Sequence, residues 1–277
     1  MRRSGRLALA WVLLLVASAC SGSSRPVPAE PTGVIVLGHS LNTGLDADPD
    51  RPGIDAREYS WATGTAAEVD SIYVRLVATD PRHEGWVANE ARNGSLVHDM
   101  VDQAPAALEE VPNPALVLIQ SLDNDIRCDG TDADQVDQLG EDLAAVLDVV
   151  TEQAPDATIV FTGSPGGVGD YVAMLESHPH YEPEGEGGVC DLFDAEGNRH
   201  DAGIEALTSI VGAYERELAQ VCGRYPQCVD ATAAADSWRP TPASFAIDLQ
   251  HPSVKGHREL AEVIWPAVAA ALGLAGP

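Results

Sequence analysis

Three stretches of this chain leave little choice of architecture. Val34-Ile35-Val36-Leu37, Ala115-Leu116-Val117-Leu118-Ile119 and Ala157-Thr158-Ile159-Val160-Phe161 are unbroken apolar or β-branched runs. A strand with one wet face alternates apolar and polar residues, whereas an unbroken run is buried on both faces, as in a parallel sheet. Segments of helical spacing separate the runs. Apolar residues recur at 69, 72, 73, 76 and 77, and again at 136, 139, 143, 146, 147 and 150; residues 204–221 and 253–272 complete the set. Weaker strands are expected at 86–89 and 227–231, and 96–108 is expected to be helical in part. Strands alternating with helices imply a parallel sheet covered on both faces. The run at 115–120 is the most apolar and is expected at the sheet's centre. Strand order is not legible from the sequence.

The chain's first residues read as an export signal. Arg2, Arg3 and Arg6 precede an apolar stretch, 7–19, in which Ser18 is the one polar residue. This is shorter than the ~20 residues needed to span a bilayer and fits a secretory signal peptide. The sequence Ala17-Ser18-Ala19-Cys20 resembles a bacterial lipobox, with Ala17 where Leu is usual. Residues 1–19 are therefore expected to be a signal peptide, and Cys20 the lipidated first residue of the mature protein. Acyl chains there would anchor it to the outer face of the cell membrane, each buried methylene contributing ~0.8 kcal/mol. Residues 20–31, rich in Ser and Pro, read as a tether. Residues 32–277 are long enough for one α/β domain with a full core.

Net charge is −27 and Lys255 is the only lysine. Such a surface repels phosphate backbones, so nucleic acid is excluded as a partner. Beside Cys20 the chain has Cys128, Cys190, Cys222 and Cys228. An even set in an exported protein predicts disulfides. Cys222 and Cys228 flank a turn and form a natural local pair, leaving Cys128 with Cys190. No Cys-x-x-Cys is present, so a zinc site is not expected. Asp46, Asp48 and Asp50 alternate in the polar loop 41–59 but lack the Gly and distant Glu of a calcium loop, and read as a solvated acidic surface. Residues 176–200, without periodicity, read as an insertion or lid.

Chemistry-bearing residues collect where strands end, which is where open α/β sheets place ligands. Ser40 follows the first strand. A serine hydroxyl needs a base, a group orienting that base, and donors for the developing oxyanion. His251 can serve as the base, and Asp248, three residues earlier, can reach its ring. Asn124 follows the central strand and carries a donor amide. Gly94, after the 86–89 strand, would let a backbone N–H approach a ligand closely.

Taken together, these residues resemble the SGNH, or GDSL-like, hydrolase superfamily. Its first block appears as Gly38-His39-Ser40-Leu41, its second-block glycine as Gly94, its third block as Leu122-Asp123-Asn124-Asp125 and its last as Asp248-Leu249-Gln250-His251-Pro252. The blocks fall in the family's order across residues 33–270. The resemblance implies a flavodoxin-like three-layer α/β/α sandwich with a five-stranded parallel sheet, and ester hydrolysis through an acyl-enzyme without cofactor or metal. Ser40 would be nucleophile, His251 base and Asp248 its orienting acid. The Ser40 and Gly94 backbone N–H groups and the Asn124 side chain would form the oxyanion hole. Two positions depart from the pattern. His39 replaces Asp and reads as structural, and Leu122 replaces Gly, which puts the loop carrying Asn124 in question.

The expected protein is a secreted, lipid-anchored serine esterase acting on a small ester, an acetyl group on a glycan foremost. The alternatives are a lipase or thioesterase on longer acyl chains, an acyltransferase on an envelope glycan, and a binding lipoprotein without catalysis. The polar insertion at 176–200, with few apolar residues to line an acyl tunnel, argues against longer chains.

Overall fold

The computed structural model describes residues 26–179, 181–183, 185 and 188–274. The expected signal peptide, 1–19, and Cys20 lie outside the described residues. The end of the tether is bound rather than free: the Pro28 carbonyl accepts from Asn113 Nδ2 at 3.2 Å.

Five strands form one parallel sheet: β1 (Val34–Leu37), β2 (Val87–Asn89), β3 (Leu116–Gln120), β4 (Thr158–Thr162) and β5 (Cys228–Asp230). Their order is β2-β1-β3-β4-β5, so the 115–120 run is central as expected. Val34 stands opposite Val87 on one side and Leu116 on the other. The order reverses direction between β1 and β3, and the crevice beyond the carboxyl ends of those two strands is where such sheets bind ligands.

The sheet's period of two divides the core. Ile35, Leu37, Val117, Ile119, Ile159 and Phe161 face α3 (Met100–Glu110), α4 (Asp132–Gln153) and α6 (Asp201–Cys222). Val34, Val36, Leu116, Leu118 and Val160 face Trp61, α2 (Ile72–Thr79) and α8 (Val254–Ala271). The result is the three-layer sandwich expected. Helix boundaries shift for local reasons. Asp70 adopts φ 51° and the Ser71 hydroxyl accepts the Val74 N–H, so α2 starts at 72 rather than 69. The loop expected at 41–59 opens with a helical turn, α1 (Ser40–Thr43).

A further helix, α5 (Val168–Ser177), occupies a stretch whose Gly-rich approach, 163–167, reads as loop, and it takes in the first residues of the expected insertion. A four-residue turn of helix, α7 (Thr232–Ala235), follows β5. Phe193, from the insertion, packs with Val172, Met174, Leu175 and Ile204, and no described residue of 178–200 lines the cleft described below. Both disulfides pair as expected, Cys128 with Cys190 and Cys222 with Cys228. The first ties the insertion to the loop after β3.

Candidate active site

Ser40 is the first residue of α1, immediately beyond β1, and is buried. The strand-to-helix turn works because Gly38 has no side chain: a Cβ there would lie 2.2 Å from Asn42 Oδ1 and 2.8 Å from the Gln120 carbonyl oxygen. Gln103, fully buried on α3, clamps this turn. Its Oε1 accepts the Gly38 N–H at 2.9 Å, and its Nε2 donates to the Gly38 carbonyl at 3.0 Å and to Ser95 Oγ at 3.1 Å. Sequence reasoning missed Gln103, since a glutamine on an otherwise apolar helix face carries no motif.

The other end of the chain supplies the base. Phe245 bridges Pro252, the Ala246 N–H donates to the His251 carbonyl, and Leu249 sits at φ 57°. Tyr171 on α5 steadies this turn by donating its hydroxyl to the Leu249 carbonyl at 3.0 Å. The next residue, Ser253, caps α8 by accepting the Gly256 N–H. His251 Nε2 comes within 2.8 Å of Ser40 Oγ, and His251 Nδ1 lies 2.5 Å from Asp248 Oδ2. Asp248 Oδ1 accepts the Gln250 and His251 N–H groups, each at 3.1 Å. Burial raises the Asp248 pKa, but the His251 side chain and these two N–H groups outweigh it and hold the carboxyl below the usual carboxylate range. An ionised Asp248 fixes the ring with a proton on Nδ1, leaving Nε2 free to accept from Ser40.

The structure thus brings Ser40, His251 and Asp248 together. Asn124 lines the same cleft, with Nδ2 donating to the Ser95 carbonyl at 3.0 Å. An amide nitrogen has two hydrogens, so one remains to serve an oxyanion. Gly94 is exposed at φ 76° and does not line the cleft. Its turn is held close by, as Asn93 bonds both Thr43 and Asp55.

The aspartate loop is not uniformly solvated. Asp48 pairs with Arg51, but Asp46 is folded inward, so that one donor atom from each of Asp46, Asp248 and His251 lies within 4.8 Å of the others.

The cleft encloses about 380 Å³. Its walls are largely apolar and come from the 126 loop (Ile126), α5 (Val168, Tyr171), α6 (Leu207, Val211) and the segment before α8 (Trp238, Phe245). None of these belongs to the described part of 178–200, so the polar character of that insertion does not set the character of the cleft.

No family model and no curated protein matches the chain. Solved structures do. An extracellular lipase from Streptomyces rimosus superposes with a TM-score of 0.53 at 18% identity, covering 87% of this chain and 99% of that one. Phospholipase A1 from Streptomyces albidoflavus gives 0.53 at 16% identity over 87% and 99% of the two chains. A carbohydrate esterase family 2 enzyme with a carbohydrate-binding domain, from Corynascus thermopiles (Myceliophthora fergusii), gives 0.50 at 15% identity over 90% and 68%. The chain has the α/β fold of the SGNH hydrolases.

Proposed function

We propose that this protein is a serine esterase that cleaves carboxylic esters through an acyl-enzyme. The observation carrying this reading is the hydrogen-bonded sequence Ser40 Oγ, His251 Nε2, His251 Nδ1, Asp248 Oδ2, with separations of 2.8 and 2.5 Å at its two links. His251 takes the Ser40 proton as Oγ attacks the ester carbonyl. The Ser40 N–H and the free Asn124 N–H face the developing oxyanion. The tetrahedral intermediate collapses to acyl-Ser40 as His251 returns the proton to the departing alcohol. Water then attacks, again deprotonated by His251, and releases the acid and free Ser40. Asp248 stays ionised and stabilises the transient imidazolium.

The cleft favours the longer-chain alternative over an acetyl group. Ile126, Leu207, Val211 and Val168 offer nothing to an acetyl group, while burying methylenes against them contributes ~0.8 kcal/mol each. A volume of about 380 Å³ falls within the range of small-molecule sites, roughly 300–1,000 Å³. The neighbours described as a lipase and a phospholipase A1 are in keeping with this; the carbohydrate esterase is in keeping with a glycan ester. The signal-like start and Cys20 place the enzyme, on this reading, on the outer face of the membrane as a lipoprotein.

Hydrolysis of p-nitrophenyl acetate, butyrate and octanoate by the mature protein, beside Ser40→Ala, tests both points. The expected result is activity rising towards octanoate and lost in Ser40→Ala. Activity that survives Ser40→Ala would refute the mechanism. A wild-type protein inert to every ester and unlabelled by a fluorophosphonate would favour a binding protein.

A further inference from the structure

One departure from the family blocks, His39, faces the residue that follows the other, Leu122. His39, 1% exposed, lies directly before the nucleophile, and its Nδ1 accepts the Leu41 N–H at 3.4 Å. An accepting Nδ1 carries no proton, so the ring's proton is on Nε2. That nitrogen lies 3.3 Å from Asp123 Oδ2, an ion-pair approach without hydrogen-bond alignment. Asp123 in turn accepts from Ser164 Oγ at 2.5 Å and from Gln120 Nε2 at 3.3 Å. The loops after β1, β3 and β4 therefore converge on one carboxylate. The residue before it, Leu122, holds φ 116°, a conformation strained for an L residue that persists only where neighbours enforce it. The residue after it is Asn124.

We infer that His39 and Asp123 are a positioning pair that sets the distance between the two oxyanion donors, the Ser40 N–H and the Asn124 amide. His39 holds the nucleophile turn through the Leu41 N–H and faces the third-block loop at Asp123. The pair also answers an electrostatic problem. A carboxylate one residue from an oxyanion donor opposes negative charge at the carbonyl oxygen. Donors from Ser164 and Gln120 point at this carboxylate, and His39 Nε2 faces it at 3.3 Å; together they draw its charge away from the reacting centre. Burial raises the Asp123 pKa, and these donors more than reverse that effect. The pair touches no reacting atom, and its role rests on Ser40 being the nucleophile.

The test is a double-mutant cycle, His39→Asn and Asp123→Asn, with p-nitrophenyl ester kinetics, thermal unfolding of each variant and affinity for an alkylboronic acid, which forms a tetrahedral adduct on serine. Each single variant is expected to lower kcat roughly 10–100-fold, less than the ~10²–10³-fold that outright removal of an oxyanion donor costs, with KM within about threefold and boronate affinity reduced in parallel with kcat. Because both act through one link, the double variant should be no worse than about threefold below the weaker single. Losses that multiply in the double variant, losses confined to KM, or kcat within about twofold of wild type in both singles would each overturn the pairing. If His39→Asn does not fold, Asp123→Asn alone decides, because lowered kcat with an unchanged unfolding midpoint is expected and an unchanged kcat is the refutation. Ser40→Ala run alongside separates the two claims: its retained activity refutes the esterase reading, and its inactivity beside a fully active Asp123→Asn refutes only the pair.

Discussion

Gln103 bonds both backbone groups of Gly38, its Oε1 accepting the N–H at 2.9 Å and its Nε2 donating to the carbonyl at 3.0 Å. Sixty-five residues apart in sequence, the two make a closed pair that aims the turn carrying Ser40. Replacing Gln103 with Leu leaves the Gly38 N–H buried without a partner, at about 1–3 kcal/mol for the unsatisfied group, while the Gly38 carbonyl keeps the Arg92 N–H at 3.2 Å. Urea unfolding of Gln103→Leu should show a loss of roughly 1–3 kcal/mol. Gln103→Glu, which keeps an acceptor for the N–H but loses the donor, should be destabilised as well, while an unchanged midpoint in both would remove Gln103 from this role.

Asn124 presents one N–H to the cleft while Ser95 holds the other. Asn124→Ala should therefore act on the transition state, reducing kcat by about 10²–10³-fold with little change in KM. A change seen in KM alone would place Asn124 in substrate binding instead.

On the esterase reading, the apolar wall would set acyl length. Leu207→Trp adds bulk to α6 where it lines the cleft. The ratio of octanoate to acetate hydrolysis should fall by about tenfold or more, since excluding even a few methylenes forfeits ~0.8 kcal/mol each. Acetate hydrolysis should change by less than about threefold. An unaltered ratio would mean that the acyl chain lies elsewhere.

Glu215 on α6 lies under the loop that carries Ser164, and its Oε1 is buried without a partner. Burial above all, with the nearby Asp236, pushes its pKa from 4.5 up to about 7, although the Ser164 N–H works the other way. Between those values the folded protein binds more protons than the unfolded chain, so this group's contribution to stability falls as pH rises from 4.5 to about 7. The full effect would approach ~3 kcal/mol, and partial solvent access brings it nearer ~1–2 kcal/mol. Unfolding midpoints of wild type and Glu215→Gln should converge near pH 5, with the variant the more stable at pH 8. Curves that run parallel from pH 5 to 8 would contradict this.

The disulfides should differ in weight. Cys128 and Cys190 are separated by 62 residues and Cys222 and Cys228 by 6. Loop-closure entropy assigns about 4 kcal/mol to the first and about 2 kcal/mol to the second. Cys128→Ser/Cys190→Ser should thus lower stability more than Cys222→Ser/Cys228→Ser. Calorimetry of the two paired variants gives the comparison, and the reverse order would be inconsistent with this account.

Much of this protein is legible locally. Apolar or β-branched runs at 34–37, 116–119 and 158–161 read as strands buried on both faces, and Gly38 before Ser40 marks a turn without room for a side chain. Asp248 and His251 are readable together because three residues separate them within one turn. The short helix α5 is less legible, because Gly166, Gly167 and Gly169 resemble a loop until Val172 and Leu175 are seen packed on Phe193. The nature of the cleft is not legible at all from the insertion at 176–200, since Leu207, Val211 and Trp238 reach it from elements far apart in sequence.

Sequence alone determined the strands, the two-faced core and the residue types able to run serine chemistry, because periodicity and turn chemistry act between near neighbours. Tertiary structure alone decided the strand order, the meeting of Ser40 with His251 across 211 residues, the Gln103 clamp and the facing of His39 towards Asp123. Those contacts depend on which strands pair and how loops from β1, β3 and β4 converge, and a one-dimensional pattern carries no term for distances between residues that only the sheet brings together.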